Sequence, residues 1–225
     1  MLEITIDTSK IEAALDSAPG QIRYATQQAI NKTAWDVRDG VKKEMPTVFD
    51  RPTPYTVSSL KVFPSKASDL TAEINFKGRP SGHYLRPEVF GGARPLKTFE
   101  KLLGRGFYVP SDAAPKDRYG NVSGAQILRM LSMLGANREG QNQSPAKRKM
   151  RILKGVKQFY RTATGNIAES GSGSKPAKIW FYRRDRAPQY KPLLQYNKIS
   201  KQIIHDRLSV NIRKGIAMAF IRAGK

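Results

Sequence analysis

Apolar and polar positions change period several times along the chain, and each change marks an element. In "LEITID", Leu2, Ile4 and Ile6 alternate with polar neighbours, which predicts a short strand with one wet face. From Pro19 the spacing becomes helical. Ile22, Ile30, Ala34, Val37 and Val41 recur near one face, Arg23, Gln27, Lys32, Asp36 and Lys43 fall largely elsewhere, and Pro46 is expected to close the helix. Two prolines in "RPTPYT" keep the chain extended, with Thr56 placed to cap a single helical turn. "LKVFPS" and "LTAEINFK", separated by "SKASD", then predict an antiparallel hairpin, with Leu70, Ala72, Ile74 and Phe76 on its buried face.

Further along, Pro95 stands as the first residue of a short helix with Phe99, Leu102 and Leu103 as its apolar stripe and Gly104 as its end. Ser123 caps a second helix whose face is Ile127, Met130, Leu131 and Leu134, and Gly135 terminates it. "KIWFYRR" reads as a strand and "QYKPLLQYNK" as extended chain. The last helix is the clearest: Ile204, Leu208, Ile212, Ile216 and Phe220 step by four, with Arg207, Arg213, Lys214 and Arg222 mostly off that row. It should pack on the first helix or on the sheet.

Charge changes the picture. Forty Lys and Arg against eighteen Asp and Glu give a net charge of +22 over 225 residues, which calls for a negative neighbour: nucleic acid, an anionic membrane surface or acidic protein subunits. The cations concentrate where composition breaks. Lys147, Arg148, Lys149, Arg151, Lys154, Lys157 and Arg161 occur in fifteen residues without an acid, and "ESGSGSKP" has the composition of a flexible linker. Residues 135–175 are therefore read as a basic, partly flexible insertion or arm, and residues 1–134 with 176–225 as a single α+β core domain. With no cysteine, disulfides and thiol chemistry are excluded. No stretch has the roughly 20 apolar residues of a membrane span, and the first residues lack signal-peptide character, so the chain is expected to be soluble and unexported.

Catalytic chemistry is poorly supplied. His83 and His205 lie in different segments, and neither belongs to a zinc-binding pattern. Asp112 and Asp117 lack the spacing of a calcium loop and read as turn formers. "GGARPLK" has neither the spacing nor the hydroxyl of a phosphate loop, and "GSGSKPAK" lacks the third glycine of a dinucleotide loop. Gly91 and Gly92 are instead expected in a turn with positive φ, leaving Arg94, Lys97 and Lys101 for contacts with neighbours. No catalytic, cofactor or metal site is assigned. Phe159, Tyr160, Trp180, Phe181 and Tyr182, interleaved with cations that include Arg183, Arg184 and Arg186, suit either a nucleic-acid groove or a face docked on acidic subunits.

Four stretches together resemble tail-completion or minor tail proteins of tailed bacteriophages, of the minor tail protein Z type, and related neck proteins of the head-tail connector. They are "QQAINKTAWDVRDGVKKEM" with its Ala-x-Asn core, "FDRPTPYTVSSLKVFPSKASDLTAEINFK", "YLRPEVFGGARPLKTFEKLLGRGFYVPSDAAPKDRYGNVSGAQILRMLS", and "KIWFYRR" followed by "KPLLQY" and the terminal helix. Residues 135–175 are outside the likeness. The resemblance implies an α+β fold with long N- and C-terminal helices packed on an antiparallel sheet, extended loops and a basic insertion. It also implies a structural, non-enzymatic virion protein without cofactor. The expected partners are copies of itself in a six- or twelve-fold ring, other neck, connector or tail proteins, and DNA non-specifically, with no membrane. The expected location is the virion, and the host cytoplasm during assembly. A basic nucleic-acid-binding protein contacting packaged or ejecting DNA is the alternative; a cell-wall hydrolase would rest only on carboxylates such as Glu88 and Glu100.

Overall fold

The computed structural model describes residues 4–5, 20–78, 83–104, 106–136, 158–171 and 174–223. In chain order the described elements are β1 (Ile4–Thr5), α1 (Gly20–Val48), α2 (Pro54–Val57), β2 (Leu60–Phe63), β3 (Glu73–Phe76), α3 (Arg86–Phe90), β4 (Gly92–Ala93), α4 (Thr98–Leu102), β5 (Phe107–Pro110), α5 (Gly124–Met133), β6 (Phe159–Arg161), β7 (Ile167–Glu169), β8 (Lys178–Arg184), β9 (Gln189–Tyr190) and α6 (Tyr196–Ala223). The fold is α+β with long helices toward both ends and antiparallel sheets, as expected.

The chain divides into two compact units, residues 1–92 with 190–225 and residues 93–189. That division differs from one core interrupted at 135–175. The segment 158–171 is not an arm: it supplies β6 and β7, and Phe159, Ile167 and Ala168 are buried. At the two ends of "GSGSK" within this linker-like stretch, Gly171 and Lys175 come close, a Cβ on Gly171 falling against the Lys175 carbonyl oxygen.

In the first unit, α1 lays Ile30, Ala34, Val37, Val41 and Met45, all fully buried, against the sheet β1-β3-β2 and against α6. The hairpin register pairs Leu60 with Phe76 and Val62 with Ile74, so the predicted alternation of β3 faces the core. Asn31 of α1 ties the hairpin down: its Oδ1 accepts from Ser65 N (2.7 Å) and Ser65 Oγ (2.9 Å), while Gln27 Nε2 donates to Ser65 O (2.9 Å). Tyr196, at the start of α6, donates its hydroxyl to Ile74 O (3.0 Å), and burial pushes its phenol well up.

The helices α1 and α6 run antiparallel and touch closely at both ends of their contact. A Cβ on Gly40 would meet Ile203 Cδ1 at 2.2 Å, and one on Gly215 would meet Ala25 O at 2.9 Å. Between them, buried Asn211 donates Nδ2 to Thr33 Oγ1 (3.0 Å) and Asp36 Oδ2 (3.2 Å). The step-of-four row marks the packed side only in part, because Phe220 is 63% exposed while polar Asn211 is inside.

Four local expectations are corrected. Pro46 does not close α1; it lies in the last turn of a helix that runs on to Val48, where few hydrogen bonds remain for a missing N–H to forfeit. Thr53, not Thr56, caps α2, its side chain accepting from Thr56 N (3.1 Å). Pro95 precedes α4, which begins at Thr98. The start of α6 at Tyr196 likewise cuts short the extended reading of "QYKPLLQYNK".

In the second unit, a four-stranded antiparallel sheet in the order β5-β8-β7-β6 encloses a core with α4 and α5. Phe99, Leu103, Tyr108, Met130, Leu131, Phe159, Ile167, Trp180 and Phe181 fill it. Ser123 caps α5 as predicted, with Gln126 completing a reciprocal capping box, and Gly135 follows at φ 68°.

Candidate interaction surface

Gly91 and Gly92 adopt φ 74° and 88°, conformations that favour glycine. Gly91 is doubly constrained, since a Cβ there would sit 3.1 Å from Pro192 Cδ and 3.2 Å from Tyr190 O. The neighbouring Glu88 carbonyl accepts from both Leu193 N (2.8 Å) and Leu194 N (2.9 Å), stitching "RPEVFGG" to "KPLLQY". The Glu88 carboxyl is pushed up by burial, and its Oε2 has no partner among the described residues.

Past Ala93 the stretch becomes an electrostatic knot. Glu100 is fully buried and receives four hydrogen bonds: from Arg94 Nη2 (2.5 Å) and Tyr108 N (2.8 Å) on Oε1, and from Arg94 Nη1 (2.7 Å) and Lys97 N (2.7 Å) on Oε2. Burial pushes this carboxyl up, but the bonds from Arg94, Tyr108 and Lys97 outweigh it and hold the group below the ordinary carboxylate value. Arg94 is itself 10% exposed at its side chain and lies over the Phe107 ring, 5.1 Å from its centroid. Arg94 is therefore spent inside its own unit and offers nothing to a neighbouring subunit, whereas Lys97 and Lys101 are exposed. The same bonds remove Glu100 as a general acid.

The basic and aromatic residues are sorted by one irregularity in the sheet. Ile167 pairs with Phe181 but Ala168 pairs with Ile179, so β8 carries an extra residue at this point. The bulge turns both Trp180 and Phe181 into the core, where Trp180 meets Phe159 edge-on at 4.7 Å. It returns Tyr182 to the outer face opposite Val109, and the outer row continues from Ile179 through Ala168 to Tyr160. Of the five aromatics singled out, three are core and two are outward. Tyr160 is 37% and Tyr182 41% exposed.

Arg183 and Arg184 separate in the same way. Arg183 lies against the backbone of Gly106 and Gly165, so close that a Cβ on Gly165 would meet its Cδ at 2.8 Å, and it pairs with Asp185 at 3.2 Å. Arg184, on the outer face opposite Phe107, and Arg186 and Arg161 are exposed. Lys147, Arg148, Lys149, Arg151, Lys154 and Lys157 lie outside the described residues.

The first unit exposes large side chains of its own. Tyr55 stacks on Tyr84 at 6.2 Å, Arg38 covers Trp35 at 4.3 Å, and Tyr24, Met218, Phe220 and Ile221 are each more than half exposed. A groove of about 390 Å³ includes Val48, Leu193, Ile199 and Ile203 with Glu44 and Lys198. His83 is buried between Phe76 and Tyr84, and His205 is exposed beside Asp206. Asp117 closes its turn by accepting from Tyr119 N and Asn121 N (both 2.9 Å), and Asp112 pairs with Lys116. Among the described residues no cluster of His, Cys, Asp or Glu has the makings of a metal site, and no helix is long and apolar enough to cross a membrane. Compared with known proteins, the chain matches no family model, no curated protein and no solved structure.

Proposed function

We propose that this chain is a structural virion protein of a tailed bacteriophage, one subunit of a ring at the neck or the head-proximal end of the tail, where the tail is completed and joined to the head. The observation that supports this reading is that parts of all four stretches behind the resemblance meet in the first unit, while residues 93–132 and "KIWFYRR" belong to the second. Asn31 of the Ala-x-Asn core holds Ser65 of the hairpin segment, Thr53 of "RPTPYT" caps its own turn, and Glu88 of "YLRPEVFGG" receives the chain of "KPLLQY". Segments that resemble one family and also pack on one another behave as a shared module rather than as scattered likenesses of composition.

A ring repeats every contact, so patches that are weak singly hold well together. The exposed Tyr24, Tyr55, Tyr84, Phe90, Met218 and Phe220 supply such surface. The role assigns no reaction to any side chain. Mass spectrometry of gradient-purified particles tests it: the protein should be present in a small, fixed copy number, and lysates lacking it should accumulate unjoined heads and tails. Absence from the particles, or normal joining without it, overturns the proposal.

A further inference from the structure

We infer that the outer face of the second unit's sheet binds single-stranded nucleic acid, with unpaired bases stacking on Tyr160 and Tyr182 and Arg184 holding the backbone. The inference goes beyond the virion reading and stands without it. The bulge in β8 is the reason the face exists: it spends Trp180 and Phe181 on the core and leaves Tyr182 outward, on the same side as Tyr160, Val109 and Ile179. Tyr160 and Tyr182 lie on strands two apart, about 10 Å between strand axes, and are further offset along the strands, Tyr160 being level with buried Ala168 and with Ile179 and Tyr182 level with Val109. Each ring is partly anchored and partly open, the condition in which an aromatic takes a flat partner.

Charge selects the partner. The second unit holds twenty Lys and Arg against six Asp and Glu, whereas the first, longer unit holds twenty against twelve. No strand residue on the outer face is acidic: Glu169 pairs with Phe159 on the core side and is buried, and Asp185 is engaged by Arg183. The rings favour single strands over duplex because base faces within a duplex are already stacked on one another.

The test is fluorescence anisotropy with a labelled oligo-thymidine and the full chain, at low salt and over a salt series. Single strands should bind more tightly than duplex of equal length, and binding should weaken steeply with salt. Tyr160→Ala and Tyr182→Ala should each weaken binding roughly tenfold, while Tyr160→Phe and Tyr182→Phe retain it. Arg184→Gln should lower the slope of log affinity against log salt by about 0.7, one single-strand phosphate contact. Photocrosslinking of a bromouracil oligonucleotide to the unaltered protein should map to Tyr160 and Tyr182, a readout that needs no variant to fold. Equal binding of duplex or of poly-glutamate, insensitivity to both Tyr→Ala changes, or crosslinks only elsewhere would overturn the inference in favour of charge alone. Absence of binding at low salt would overturn it outright.

Discussion

The two units bury polar chemistry in opposite ways. The second encloses a carboxylate, Glu100, and surrounds it with four donors. The first relies on shape, with two long helices drawn together at Gly40 and Gly215, and it contains all five buried side-chain atoms without a partner among the described residues: Ser59 Oγ, Asn75 Oδ1, His83 Nε2, Glu88 Oε2 and Ser200 Oγ. Glu88 and Glu100 state the contrast within twelve residues of sequence. Burial alone raises the first, and burial overcome by Arg94 leaves the second lowered. What a carboxylate does to a fold depends on whether donors are built around it, not on its depth.

Each unit carries one tryptophan, Trp35 or Trp180, so a Trp35→Phe background lets fluorescence follow the second unit and Trp180→Phe the first. The largest effect should come from Glu100→Ala, which strands Arg94 and two backbone N–H groups. A loss of about 3–5 kcal/mol is expected from denaturant unfolding read at Trp180. The double change Arg94→Met with Glu100→Leu should recover only part of it, because Lys97 N and Tyr108 N still lack an acceptor.

In the first unit, Gly215→Ala should cost about 1–2 kcal/mol. The clash with backbone at Ala25 O exceeds the helix-propensity gain of about 1 kcal/mol. Gly40→Ala should be nearly neutral, since the Ile203 terminal methyl can rotate away. Equal losses at both glycines would mean that the helices are not pinned by backbone contact. Ser123→Ala should cost about 1 kcal/mol in the second unit through the lost cap.

The smallest effect has the opposite sign. The folded-state value of Glu88 lies above its unfolded value, so its favourable contribution is complete below the ordinary glutamate range near 4.3 and is lost as pH rises through the folded value. Glu88→Gln should therefore stabilise the first unit at neutral pH, by less than about 1 kcal/mol for a half-buried group. Glu100 runs the other way: its contribution is present above that range and is lost as pH falls through its lowered folded value. Unfolding followed at each tryptophan from pH 7 to pH 3 should show the second unit weakening at the acid end and Glu100→Gln abolishing that slope.

The sequence made periodic features legible and left non-periodic ones hidden. The β3 alternation, the Ser123 cap and the Gly91–Gly92 turn follow from local chemistry and were readable. The helix runs past Pro46 because a proline in a final turn forfeits little. The helix starts after Pro95 because a capping hydrogen bond from Lys97 N to Glu100 Oε2, not proline geometry, sets the boundary. Glu100 gave a faint signal, an acid set between Phe99 and Leu102 on an apolar stripe, but nothing in the spacing named Arg94 as its partner. The sorting of the aromatics depended on the bulge, which pairing with β7 creates and no pattern within "KIWFYRR" discloses. For the site, Arg184 remained outward while Arg183 and Arg94 proved to be consumed at home.

The bulge in β8 also makes this strand a matter of counting. Because one surplus residue lets Trp180 and Phe181 share a side, deleting either of them would restore regular alternation and leave Tyr182 outward, at the loss of one core aromatic. Substitutions at the same places change one side chain at a time. Descendants of this gene should therefore tolerate a change of length at residues 180–181 more readily than in the regularly paired stretch 182–184, where a change of length slips side chains to the opposite face.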